Sequence, residues 1–462
     1  MGTASMAGEP GAEYIATIRD AHSDPRRLEA LYQSALGARA AAQFASALGA
    51  LYQEFPNNLL YAAWHYRLQG AAATTAAGTA GAATVHAVRA GGTNWRLAIP
   101  LSVGLALVFW VLSDTTLQFV RGVPYLAVLW APLAALFVIA FLALASRRGY
   151  VQAAVGVVGI AALTAYIMVE TPRSDPLGTQ SYLALMLLHL PLLAGGAAGV
   201  ALLGWGSSSA DRFGFLTKAI EALGTAGVAV IAGGIFVGLT YAIFSAQDIE
   251  IPDVFVRLLL IGGAGLIAVL AVAAVYDPAL PPRAQEFRRG FGRIAGVIMR
   301  ALLPLTVLVL AIFIAIIPFT FGRPYSDRGE LIIYNVLLFA VLGLLVGVTP
   351  VSQDDVPARW QGWLRAGIVL LAAMVTLVSL YALSAIVFRT VASGALTMNR
   401  FVVIGWNVVN IAILVLVLVR QIGAGRAGDG DWIARLHGVF KLGTALYLAW
   451  ALLLALALPW LF

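Results

Sequence analysis

About eleven long apolar stretches run from Leu97 to Phe462, each near the ~20 residues that an α-helix needs to cross a bilayer. Short loops join them, and in these loops Arg is alternately frequent and scarce. A chain written this way has few folds open to it. Inside a bilayer no water satisfies the backbone, so a continuous apolar run must close its hydrogen bonds within itself, as a helix. A membrane β-barrel would instead show alternating segments of about 10 residues. The fold expected is all-α, a polytopic transmembrane bundle of about eleven helices with a small soluble helical cap at the amino end. The expected spans are 97–113, 123–145, 151–169, 181–205, 222–244, 254–276, 294–318, 331–349, 364–388, 401–419 and 440–460.

Composition narrows the function classes. An apolar fraction of 61% with only 11% charged residues excludes an ordinary soluble surface, so the 462 residues read as one membrane domain plus a small soluble part. The net charge of +7 does not call for nucleic acid, because the basic residues lie in membrane loops and build no broad basic face. The chain has no cysteine, which rules out disulfides, thiolate metal sites and cysteine nucleophiles. Lys218 and Lys441 are its only lysines. That bias toward Arg fits a GC-rich bacterial genome, and the bacterial inner membrane is the expected location.

With the amino terminus in the cytoplasm, about 21 of the 29 Lys and Arg fall in the tail and alternate loops, and about 6 on the other side. Arg257 and Arg300 lie inside spans. The loop with Arg283, Arg288, Arg289 and Arg293 is then inside, the loop with Asp248, Glu250 and Asp253 outside, and the carboxyl terminus outside.

Ahead of the spans, Met1 to Met6 read as a small-residue leader with a second start at Met6 and no function. Residues 1–69 form the expected cap. Apolar residues such as Ile18, Leu28, Phe44, Leu51 and Trp64 recur at helical spacings, Asp24-Pro25 opens a second helix, and Asn58 caps a fourth. The segment Pro56 to Trp64 is similar to the opening of a tetratricopeptide-type helix, although such arrays need about three repeats. Residues 70–95, mostly Ala, Gly and Thr, are expected to be a flexible linker, and 96–462 the membrane domain. Two segments, 211–220 and 282–293, mix aromatic and charged residues as helices lying on the membrane surface do.

Polar residues in the spans are few, and each has a structural reading beside a functional one. Gly195 with Gly199, Gly234 with Gly238, and Gly343 with Gly347 are spaced for close helix contact, while Gly262, Gly263 and Gly265 could also form a deformable path lining. His189 is expected to bond a neighbouring helix rather than relay protons. Arg257 and Arg300 are expected to snorkel; the alternative is that one of them meets an anionic substrate, Arg300 the more so because Pro304 can open its helix. Mid-span Asp, Glu and Lys are lacking, which counts against ion-coupled transport.

The best polar concentration comes late in the chain. Asn335, Tyr381, Arg389, Arg400 and Asn407 are the candidate substrate-binding residues, with Tyr334, Ser384 and Asn410 beside them. Arg389 and Arg400 flank a loop of about 11 residues, and two guanidinium groups held near each other would be relieved by an anionic headgroup, phosphate or carboxylate. The structural alternative is that the asparagines only lock helices and that Asp327 or Glu330 neutralises the arginines.

These same residues carry a resemblance. Leu331 to Phe339, Tyr381 to Arg389, Leu396 to Phe401 and Gly405-Trp406-Asn407 are similar to the carboxyl-terminal signature of a bacterial family of polytopic membrane proteins known only as a domain of unknown function. Where that family has Tyr-Gly and a Thr-Pro-Asn-Arg-like turn, this chain has Ser393-Gly394 and Thr397-Met398. The resemblance implies a membrane fold and location, and no activity. The leading functional expectation is transport or lipid handling, with an outward polar cluster engaging an anionic lipid or small solute. The rival is a membrane-anchored scaffold or sensor whose cap binds a protein partner through residues 13–69. No catalytic, cofactor-binding or metal-binding set is assembled by the sequence, so an enzyme is the third choice.

Overall fold

A computed structural model describes residues 12–37, 40–78, 94–120, 122–171, 176–204, 206–287, 290–326, 328–426 and 431–462. The chain divides into two compact units, residues 1–90 and 91–462.

The first unit is two helical hairpins, α1 (Ala12–Asp20) with α2 (Pro25–Gly37), and α3 (Ala41–Glu54) with α4 (Leu59–Gly78). Punctuation in the sequence sets the boundaries. Asp24 Oδ1 accepts from the backbone N–H of Arg26 and Arg27 at 3.0 and 3.2 Å, with Pro25 opening α2. Asn58 Oδ1 does the same for Leu60 and Tyr61 at 3.0 and 3.3 Å. Ile18, Leu28, Phe44, Leu48, Leu51, Tyr61 and Trp64 form the core. The helix α4 continues to Gly78, nine residues into the segment expected to be a linker; residues 79–93 lie outside the described residues.

Among its described residues the second unit holds eleven helices long and apolar enough to cross a membrane, one at each expected span. They are α5 (Trp95–Leu112), α6 (Tyr125–Ser146), α7 (Tyr150–Glu170), α8 (Pro176–Leu203), α9 (Ser209–Ser245), α10 (Asp253–Arg257) running through a π-turn at Leu258–Gly262 into α11 (Gly263–Val275), α12 (Gly290–Thr320), then, after the short α13 (Arg323–Ser326), α14 (Arg328–Val348), α15 (Ala358–Ser393), α16 (Met398–Arg426) and α17 (Trp432–Leu461). The strands β1 (Gln118–Val120) and β2 (Val123–Pro124) pair as a small antiparallel hairpin after α5. Consecutive spans alternate in direction. Arg147, Ser207, Arg283, Asp355 and Asp431 therefore mark one end of the bundle, called here the basic end, and Asp114, Asp248, Phe321 and Gly394 the opposite end.

Three large apolar cores hold the spans, with a fourth, small one at Leu331, Ala385 and Ile386. Leu105, Phe109, Phe141 and Val269 join α5, α6 and α11. Val128, Ile160, Met186, Trp406 and Leu454 join α6, α7 and α8 to the start of α16 and the end of α17. Leu310, Leu345, Leu371, Val417 and Leu436 join α12, α14, α15, α16 and α17. The closest backbone approach in the first is at Gly265, where a Cβ would stand 2.7 Å from Ala106 Cα, so only glycine lets α11 settle on α5. Of the glycine pairs expected to make such contacts, Gly199 meets Phe215 and Gly347 meets Met299, whereas Gly234 and Gly238 face open space.

Polar side chains serve these contacts at helix breaks. Pro459 has no N–H for the carbonyl of Ala455, and the buried Tyr182 hydroxyl donates to that oxygen at 2.7 Å. His189 makes the interhelical bond expected of it, accepting at Nε2 from Trp406 Nε1 at 3.0 Å while Nδ1 donates to Leu185 O at 2.6 Å.

The helix α9 departs from expectation. At 37 residues it is about 55 Å long, well beyond the ~30 Å hydrocarbon core. The segment 211–220, expected to lie on the surface, forms its first turns and is packed inward. Phe213 stacks on His437 with centroids 4.2 Å apart, and Gly214, Lys218 and Glu221 are buried with it. The amphipathic face that suits a lipid surface suits a protein surface equally, which is why periodicity alone did not separate them. Beyond Glu221 the character reverses. From Gly227 to Ser245 no residue is buried and most are exposed. Leu223, Ile231 and Phe236 point in different directions around the helix, and all are exposed.

Candidate functional site

At the opposite end the structure brings some of the five candidate residues together and separates others. Asn407 Nδ2 donates to Asn335 Oδ1 at 2.6 Å, joining α16 to α14, and also to Val403 O at 2.9 Å. Its own Oδ1 is buried without a hydrogen-bond partner. Tyr381 donates to Phe321 O at 2.8 Å, and its ring lies 6.1 Å from that of Tyr334 on α14. Arg389 continues the buried stripe Val378, Ala382, Ala385 of α15 by one more turn, and its Nη1 is buried with no partner. Arg400 turns to its own loop, donating to Ser393 Oγ and to Ala395 O. Asp327 and the side chain of Glu330 lie outside the described residues.

An aromatic group packs around Tyr381. Phe321 and Tyr325, on and beside α13, pack against Tyr381 at 5.2 Å and Phe388 at 5.4 Å, and the Tyr325 hydroxyl is 2.8 Å from Ser384 Oγ. Sequence reading missed Tyr325 because its helix is a four-residue turn between spans, too short to give a periodic signal. Across the same end, Arg257 meets Asp114 at 3.1 Å, a partner in the loop after α5 instead of the lipid headgroups.

The basic end carries two cavities that sequence reading did not anticipate. One, of about 620 Å³, lies among α6, α7, α8 and the loop after α11, lined by Ser146, Gln152, Asp211 and Tyr276. The other, of about 480 Å³, lies among α9, α12 and α14 and is lined by Glu221, Arg293, Arg300 and Asp355 together with apolar side chains. Beside it Lys218 Nζ donates to Glu221 Oε2 at 2.7 Å and Glu286 O at 2.6 Å, and Glu221 Oε1 accepts from Gly292 N at 3.1 Å, in the first turn of α12. A Cβ at Gly292 would stand 2.8 Å from the Glu221 carboxyl carbon, so glycine is what lets the cap form. A signal for this pair was present, since Lys218 and Glu221 are spaced to meet on one helix face.

Among the described residues no group of three or more His, Asp or Glu comes together as a metal site would need. No protein-family model, no curated protein and no solved structure matches the chain, so the resemblance of its carboxyl-terminal third rests on those residues alone. Fold and composition make it an integral, multi-span helical membrane protein.

Proposed function

We propose that this is a lipid-handling or transport protein whose cluster at the opposite end, Asn335, Tyr381, Arg389 and Asn407, with Arg400 shaping the adjoining turn, receives the anionic group of a lipid or small solute. The observation that carries the reading is Arg389. Its Nη1 ends the packed stripe of α15, out of water and without a hydrogen-bond partner, where an uncompensated charge is costly and a bound anion relieves the cost. Asn407 Oδ1, also unpartnered, would accept from a hydroxyl on the same ligand. Arg400 plays a different part, fixing the turn between α15 and α16. The exposed length of α9 suits a lipid, because apolar side chains open to the bilayer on several sides let acyl chains lie against the protein.

The test compares Arg389→Gln with Arg400→Gln in the full-length protein, measuring co-purifying anionic lipid by mass spectrometry and thermal unfolding in one detergent. Arg389→Gln is expected to lose most of the retained lipid with little change in unfolding temperature, and Arg400→Gln to lower that temperature. Unchanged retention in Arg389→Gln with a large stability loss would assign Arg389 to an internal ion pair and remove the site. The rival reading, a scaffold whose cap binds a protein, draws support from the stacked Tyr52 and His65, 4.6 Å apart, beside the exposed Tyr66.

A further inference from the structure

We propose that the cavity among α9, α12 and α14 at the basic end is a second site, for a phosphate-bearing anion, with Arg300 as the direct contact and Arg293 at its rim. This goes beyond the reading above and rests on separate residues.

The argument is one of uncommitted charge. Two carboxylates line the cavity, and both are engaged. Glu221 holds Lys218 and the N–H of Gly292. Asp355 accepts from Val351 N at 3.0 Å, Ser352 N at 2.9 Å and Ser352 Oγ at 3.2 Å, closing a capping box. Arg300 has no hydrogen-bonded carboxylate: its Nε is buried and unbonded, Nη1 reaches only the carbonyl of Asp355 at 3.5 Å, and the Asp355 carboxylate acts on it only from beyond ion-pair distance. Among the described residues no carboxylate lies within ion-pair distance of it. The charges on the lining residues and Lys218 leave one positive charge in excess.

Shape agrees with charge. A cavity of about 480 Å³ is within the range of small-ligand sites. Ile220, Val297, Met299 and Val346 make most of its wall apolar. Val297 is also 59% exposed on the outer face of α12, and Leu223, one turn beyond Ile220 on α9, is 71% exposed. Phosphate chemistry at Arg300 with an apolar exit toward the bilayer fits a phospholipid headgroup better than a free ion, because a free ion has no use for that wall. A guanidinium matches a phosphate through two parallel donors, which a lysine could not offer.

Full-length protein in neutral detergent is titrated with dioctanoyl-phosphatidylglycerol, with dioctanoylglycerol as a phosphate-free control and inorganic phosphate in a third arm, reading binding and thermal unfolding. Dioctanoyl-phosphatidylglycerol is expected to bind and raise the unfolding temperature, and dioctanoylglycerol not to. Arg300→Gln should weaken binding about 10- to 100-fold, yet change the stability of the ligand-free protein little, because no carboxylate is hydrogen-bonded to that guanidinium. Gly296→Leu supplies the second variant. Nothing lies within 4 Å of a Cβ at Gly296, which lines the cavity, so the backbone accepts a side chain there, and leucine is expected to fill the space and abolish binding. Inorganic phosphate reproducing the effect would support the site with a soluble source; the lipid acting alone would support it with a membrane source. Wild-type-like binding in Gly296→Leu, or an equal effect of dioctanoylglycerol, overturns the proposal even if Arg300→Gln does not fold. Arg389→Gln, run alongside, should leave this binding intact, which separates failure here from failure at the other cluster.

Discussion

Asp114 shows how one residue can carry a pH dependence into the stability of the fold. Its carboxylate accepts the Thr116 hydroxyl at 2.6 Å and the Thr116 N–H at 2.9 Å, then Arg257 Nη2 at 3.1 Å. These donors favour the charged form and hold the group at about 2, below its ordinary 3.8. A carboxyl depressed in the folded protein adds stability that is fully present above its unfolded pKa and is lost as pH falls through the folded one. The window here lies between about 4 and about 2. In Asp114→Asn the difference in unfolding temperature from wild type should be constant above the upper bound and shrink toward zero at the lower. A difference that persists unchanged through that window would mean that charge at Asp114 contributes nothing.

Helix contacts in the bilayer lack the hydrophobic drive of water, so close packing must replace it, and single glycines then decide where two helices can meet. Gly265 and Gly238 look alike in sequence, yet only the first has a neighbour, Ala106, inside the reach of a Cβ. Leucine at Gly265 should destabilise the protein by about 1–3 kcal/mol through forced separation of α5 and α11. At Gly238, where nothing lies within 4 Å, leucine should change stability little. Equal shifts in thermal unfolding would refute the assigned packing. The pair also marks what could be read in advance. All eleven spans were legible, because a bilayer demands about 20 apolar residues whatever the neighbours are. Which glycine packs, and that 211–220 turns inward against His437, depended on neighbours hundreds of residues away. The candidate cluster was legible in part for the same reason. Asn335 and Asn407 could be expected to seek amide partners within a bilayer and do pair, whereas Arg400 found its partners in its own turn. The basic-end cavity had only the spacing of Lys218 and Glu221 and the position of Arg300 to announce it.

For the whole molecule, orientation decides what each end can meet. About 21 of 29 Lys and Arg fall on one side when the amino end is placed in the cytoplasm, and retention of basic loops on that side is the strongest general rule for such bundles. From that rule we predict the basic end, with the Arg300 cavity, at the cytoplasmic leaflet and the Arg389 cluster at the other. Because the chain has no cysteine, single cysteines can report this directly. Arg283 and Asp253 suit the test, since both are exposed and they stand at opposite ends of α11 and its preceding turn. Asp253→Cys is expected to react with an impermeant maleimide in intact cells, and Arg283→Cys only after the membrane is opened. The reverse pattern would turn the bundle over and face the Arg300 cavity outward. Its phosphate chemistry would then have to be supplied from the external leaflet, and the binding measured with phosphatidylglycerol would need matching to lipids found there.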